Sequence, residues 1–203
     1  KEEKCCGEPI RKLGNEYLYQ SLASENIERI QGYGVKQIVT TCPHCFNTLA
    51  KDYADLGLDV PVEHYTVFLD RLLDKGLLKL VAPQSFACSY HDSCYLGRYN
   101  DIYEAPRRLL SMVGGALAEM TKSRAESFCC GAGGGRILAE EKLGTRISES
   151  RVRMAAETGA PLLVSSCPFC LTMFEDGIKG AGFEETLASK DIAEILVECL
   201  PTG

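Results

Sequence analysis

Gln37-Ile38-Val39-Thr40-Thr41-Cys42-Pro43-His44-Cys45 runs a short strand-forming segment straight into a CxxC, and Pro161-Leu162-Leu163-Val164-Ser165-Ser166-Cys167-Pro168-Phe169-Cys170 repeats the arrangement 125 positions later. Aliphatic and β-branched residues favour extended backbone. Proline after the first cysteine suits the first turn of a helix, where a missing N–H costs little. Each CxxC is therefore expected to open a helix at the C-terminal end of a strand. The unpaired N–H groups of such a helix start favour anionic sulfur, so a thiolate forms there more easily.

Upstream, each copy begins with a cysteine pair: Cys5-Cys6-Gly7 in the first and Cys129-Cys130-Gly131 in the second. Cys6 to Cys42 spans 36 positions and Cys130 to Cys167 spans 37. Eight of the eleven cysteines fall into this doubled pattern, which reads as a duplicated metal site. A disulfide framework belongs to short secreted chains that lack a core, whereas 203 residues at 45% hydrophobic content can bury one. A thioredoxin-like dithiol needs one CxxC and leaves both cysteine pairs without a role. No signal peptide and no apolar run of membrane-crossing length is visible, so the thiols are expected to be reduced and free to bind metal. The chain starts on Lys1 with its first cysteine already at position 5, and reads as part of a longer polypeptide.

Helical spacing of Leu18, Leu22, Ile27 and Ile30 predicts a helix over 15–31, stopped by Gly32 and Gly34. A second helix is expected through 137–156, stopped by Gly159. Further strands are expected over 60–63, 85–90 and 116–120. The alternation predicts an α/β fold of two pseudo-symmetric βαβ-type halves with parallel sheets and flanking helices, residues 1–80 and 81–203. With 22 Lys+Arg against 28 Asp+Glu, the net charge of −6 argues against a nucleic-acid partner. The short basic clusters Arg107-Arg108 and Arg151/Arg153 read as solvated helix charges.

Adjacent cysteines in an extended backbone point to opposite faces, so they converge on one small ion only through a sharp turn. Zinc wants four ligands near a tetrahedron, whereas an iron–sulfur cluster is wide enough to take adjacent thiolates at different irons. Gly131, Gly133 and Gly134 are expected to let backbone N–H groups approach the sulfides. Their stretch fails as a dinucleotide fingerprint, because G-x-G-x-x-G ends here on Arg136. Cys94 lies 35 positions ahead of Cys129 and gives the second half five thiols, for which the first half has no counterpart in this chain. Cys88 and Cys199 read as buried small hydrophobes, with Cys88 the alternative to Cys94 as a ligand. His44, inside the first CxxC, and His91, three residues before Cys94, are placed where imidazole can relay a proton, His91 being the catalytic candidate and a supporting hydrogen bond the plainer role for both. Arg98 and Arg136 are placed to offset cluster charge, though solvated arginine is the ordinary outcome; His64 is assigned no role.

The order Cys94, Cys129-Cys130-Gly131, Cys167-Pro168-Phe169-Cys170 resembles the cysteine-rich CCG domain of the B-type component of heterodisulfide reductase and its relatives, over essentially the whole chain. The resemblance implies Rossmann-like repeats and, where five cysteines are present, a noncubane 4Fe-4S cluster. It implies Cys94, Cys129, Cys130, Cys167 and Cys170 as ligands of the second site and Cys5, Cys6, Cys42 and Cys45 as ligands of the first, whose fifth cysteine falls outside this chain. Zinc is an expected occupant of an incomplete or air-damaged site. The wording of 91–100, 42–49 and 167–173 is similar to the soluble end of electron transfer flavoprotein:menaquinone oxidoreductases. That likeness implies relay of electrons from a flavoprotein donor toward a quinone pool, with further iron–sulfur or membrane quinone-reducing subunits or domains as partners. It also implies a cytoplasmic location, on the cytoplasmic face of a membrane where outside sequence or partners anchor it. Catalytic cleavage of a substrate disulfide and a zinc-stabilised, non-redox interaction domain are the alternative functions.

Overall fold

A computed structural model describes residues 4–81, 85–139 and 144–201. Its strands are β1 (Ile38–Thr40), β2 (Val62–His64), β3 (Phe86–Tyr90), β4 (Gly115–Leu117), β5 (Leu162–Ser165) and β6 (Ala188–Asp191). The helices are α1 (Glu8–Lys12), α2 (Glu16–Gly32), α3 (Pro43–Asn47), α4 (Tyr53–Asp55), α5 (Tyr65–Asp74), α6 (Glu104–Met112), α7 (Ile147–Ala156), α8 (Pro168–Ala181) and α9 (Ile192–Glu198). All described pairings are parallel: β1 with β2 in one sheet, and β4-β3-β5-β6 in the other.

The two sheets carry one repeated unit. β1 feeds α3, β2 and α5, and β5 feeds α8, β6 and α9 in the same order. Register follows suit, with Ile38 opposite Val62 and Leu162 opposite Ala188. Even the caps correspond: the His64 side chain accepts from Thr66 N at the start of α5, and Asp191 accepts from Ala193 N at the start of α9. The copies differ within the CxxC helix. α8 is continuous over 14 residues, while α3 passes through a π-helical turn at Thr48–Asp52 before α4.

The halves pack into each other. Leu69 and Leu73 of α5 lie against the core built on Tyr90, Leu109, Leu110, Val164 and Ile192, and Tyr65 donates to Asp191 Oδ1 at 2.6 Å. A second core joins Val152, Leu163, Phe174 and Ile178 between α7, β5 and α8. A third, around Tyr19, Ala23 and Tyr53, holds α2 on the smaller sheet.

Two expectations change. The helix expected through 137–156 is instead a 3-10 turn at Arg136–Leu138 and then α7 from Ile147, with Gly144 at φ +68° between them and 140–143 outside the described residues. Left-handed backbone ends a helical run. Arg107 and Arg151 are not solvated: they are 9% and 0% exposed. Arg107 forms a buried bidentate pair with Asp92 at 2.7 and 2.9 Å and also binds Glu119.

Candidate metal centre

The CxxC motifs sit where the sequence places them, with Cys42 as N-cap of α3 and Cys167 as N-cap of α8. Proline at each N1 position starts the helix without wasting a donor. Each cysteine pair is folded sharply by the glycine that follows. Gly7 at φ +81° and Gly131 at φ +96° occupy left-handed backbone, and their N–H groups donate to Cys5 Sγ at 3.4 Å and Cys129 Sγ at 3.3 Å. A side chain at either glycine is strained and crowded: its Cβ meets Tyr19 at 2.9 Å from position 7 and Ile147 at 3.2 Å from position 131.

All eleven cysteines are free thiols. In the first set Cys45 donates to Cys6 at 3.3 Å and also hydrogen-bonds Cys42, which falls to about 4 with this bond as the main cause. Burial pushes the Cys5 thiol up. In the second set Cys170 donates to Cys130 at 3.2 Å, and bonds from Cys129 and Cys170 hold Cys130 well down. Cys167 stands at about 7, burial raising it and the bonds from Cys170 and His44 more than offsetting that. Cys94, in the loop after β3, is raised by burial and by the charge of Cys130. Cys129 is half-buried and pushed up by its bond to Cys130. Both sets therefore share protons among closely spaced sulfurs and offer thiolates to a metal.

Charge around the second set comes from an unexpected direction. Arg151 donates to His91 Nδ1 at 3.1 Å, to the Lys122 carbonyl at 2.9 Å and to Ser127 Oγ at 3.3 Å. Burial pulls it down to about 10, while the charges of Asp92, Cys170 and Cys130 hold it up. A His91 ring nitrogen lies within 4.8 Å of the Cys130 and Cys170 sulfurs. Because an arginine donor occupies Nδ1, the neutral imidazole carries its proton on Nε2, and it faces sulfur as a donor, not as a ligand. Burial lowers His91, which keeps it neutral.

His44 is 2% exposed, with Nδ1 3.8 Å from Cys42 Sγ and 3.9 Å from Cys167 Sγ. Burial opposes its charge, but bonds to Cys167 and Cys42 raise it to about 11. Cys88 and Cys199 lie in the apolar core. Gly133, Gly134 and Gly135 form a turn, and Gly135 backs onto Leu13. Arg98 is directed to the Ala125 and Ser127 carbonyls.

A cavity of about 670 Å³ opens beside the first set, lined by Cys5, Cys6, Cys45 and the β1 residues Ile38, Val39 and Thr40. In the larger sheet the corresponding side of β5 is covered by β3, whose following loop carries Cys94.

The family model of the cysteine-rich CCG domain matches twice, over residues 1–50 and 88–175. The chain is 44% identical over 202 residues to an EtfAB:quinone oxidoreductase of Syntrophomonas wolfei, and 41% identical over 198 residues to a probable iron–sulfur-binding oxidoreductase, FadF, of Bacillus subtilis. These alignments take in 96% and 97% of this chain but 28% of each relative. A polypeptide of the dihydromethanophenazine:CoB–CoM heterodisulfide reductase of Methanosarcina barkeri is 35% identical over 98% of this chain and 50% of its own length.

Proposed function

The chain belongs to the cysteine-rich CCG domain family, and from that premise we propose that it is an iron–sulfur oxidoreductase module relaying electrons from a flavoprotein toward a quinone pool. The observation that carries the reading is the pair of thiol nests, one at the start of α3 and one at the start of α8, separated by a single imidazole. Cys94, Cys129, Cys130, Cys167 and Cys170 would hold a noncubane 4Fe-4S cluster, and Cys5, Cys6, Cys42 and Cys45 the first site. The donor set fits: Cys45 and Cys6 share a proton at 3.3 Å and Cys170 and Cys130 at 3.2 Å, glycine N–H groups donate to Cys5 and Cys129, and the buried Arg151 guanidinium, bonded to an imidazole, a carbonyl and a hydroxyl, balances the charge of the second set. Such a cluster supplies one-electron storage at a potential set by its hydrogen bonds and burial.

The chain's own residues tune and shield the site. Gly7 and Gly131 donate to the sulfurs of Cys5 and Cys129. His91, oriented by Arg151, donates to Cys130. The Asp92–Arg107 pair anchors the loop that presents Cys94. The two repeats divide at residues 1–80 and 81–203. The cavity along β1 supports completion of the first site by a strand and thiol from outside this chain, with zinc taking that site when it stays incomplete. Among the described residues no helix is long and apolar enough to cross a membrane, and we place the module on the cytoplasmic face, reached through sequence or partners outside this chain.

The test is a redox cycle on protein reconstituted without oxygen. Cluster absorption should bleach with a reduced flavoprotein and return with a menaquinone analogue. Return only with an organic disulfide, with two thiols released per two electrons consumed, would replace the relay by disulfide reduction.

A further inference from the structure

His44 lies at the meeting point of the two repeats. It is the third residue of Cys42-Pro43-His44-Cys45, and the matching residue of the other copy, Phe169, touches it edge-on with ring centroids 5.0 Å apart. Two corresponding positions in contact mark the local axis of the duplication. One of them is polar and the other is not, so a single imidazole faces both thiol sets. Its Nδ1 is 3.8 Å from Cys42 Sγ and 3.9 Å from Cys167 Sγ, which puts those two sulfurs less than about 8 Å apart.

The ring has no freedom to serve one set and ignore the other. Tyr95, the residue after Cys94, covers its face at a centroid distance of 4.2 Å, and Tyr95 is itself tied to Glu8 of α1 by a 2.8 Å hydrogen bond. Glu8 follows the Cys5-Cys6-Gly7 turn directly. Segments carrying ligands of both sites thus hold the imidazole from both sides. Its Nε2 finds no partner among the described residues, so the ring's contacts with polar atoms run through Nδ1 to sulfur.

We propose that His44 is a shared positioning residue: one N–H, hydrogen-bonded to a sulfur of each set, couples the ligand geometry and the reduction potentials of the two sites. The coupling of potentials rests on the iron–sulfur reading, whereas the shared hydrogen bond does not. Donation to sulfur favours the reduced, more negative state. A change of charge at one site then alters the donor seen by the other.

The experiment compares His44→Phe, which copies the residue of the second repeat, with His44→Gln, which keeps a side-chain N–H. In chain reconstituted without oxygen, EPR-monitored titration should show both sites harder to reduce in His44→Phe. Each reduction equilibrium should change by a factor of about five, the worth of one hydrogen bond. His44→Gln should recover part of both shifts, and Cys94→Ser and Cys5→Ser identify which signal belongs to which site. A shift confined to the first site, or none, would overturn the proposal. If wild-type chain lacks a redox-active cluster at either site, the cluster reading fails there by itself, and the shared contact is then read in metal-free protein from alkylation of individual thiols. His44→Phe should move the pH profile of alkylation upward at Cys42 and at Cys167 alike, each ionisation equilibrium changing by a factor of about five. A pH profile that moves at Cys42 alone refutes the bridge.

Discussion

Arg151→Met removes a buried positive charge whose nearest negative counterparts include sulfur. Arg151 Nε is 3.1 Å from His91 Nδ1, and a nitrogen of that ring is within 4.8 Å of the Cys130 and Cys170 sulfurs. Across roughly 8 Å at an effective dielectric of about 20, a unit charge is worth about 2 kcal/mol, or about 90 mV in a one-electron couple. A cation favours the added electron, so losing it lowers the potential of the second site. The first site, farther away, should move much less. Methionine also strands the Lys122 carbonyl, at a cost of about 1 to 3 kcal/mol, and the melting temperature should drop by several degrees. Arg151→Lys keeps the charge without the planar set of bonds; it should restore most of the potential and little of the stability. EPR-monitored titration beside thermal unfolding separates the two effects. A lowered melting temperature with an unmoved potential, or an equal shift at both sites, would refute the assignment of Arg151 as counter-charge of the second set.

Cys94→Ser should abolish the second-site signal while the first keeps its own; damage from Cys88→Ser with none from Cys94→Ser would mean that the fifth ligand is misplaced. His64, whose ring contacts the Thr41 carbonyl just before Cys42, provides a pH test. Burial holds it near 4 in the folded chain against 6.5 when unfolded, so the unfolded state binds the extra proton between those values, and stability is complete above 6.5 and declines as pH falls toward 4. The decline attributable to this group is up to about 3 kcal/mol, measurable by urea unfolding. His64→Asn, which keeps a capping acceptor for Thr66 N, should flatten it; an unchanged slope would remove His64 as the cause.

The strand-to-CxxC-to-helix unit was legible because its signals are local: strand formers, then proline at N1, then a helix. The glycine turns after the cysteine pairs were legible for the same reason, since adjacent thiols cannot converge without one. β6 was not, because Ala188-Ser189-Lys190-Asp191 is polar and low in strand propensity, and exists by pairing with β5 along one edge. Arg107 and Arg151 look like surface charge until tertiary structure brings Asp92, Glu119 and His91 to them from 15, 12 and 60 positions away. His44 is the extreme case. The sequence shows its own CxxC, but the Cys167 sulfur that defines its position is 123 residues distant.

Quantifying iron, acid-labile sulfide and zinc in chain prepared without oxygen bears most directly on the account, since exclusion of air keeps the thiols from oxidising. The account predicts brown protein with iron and sulfide in equal amounts, the second site filled ahead of the first. Zinc at every site with no sulfide would contradict it.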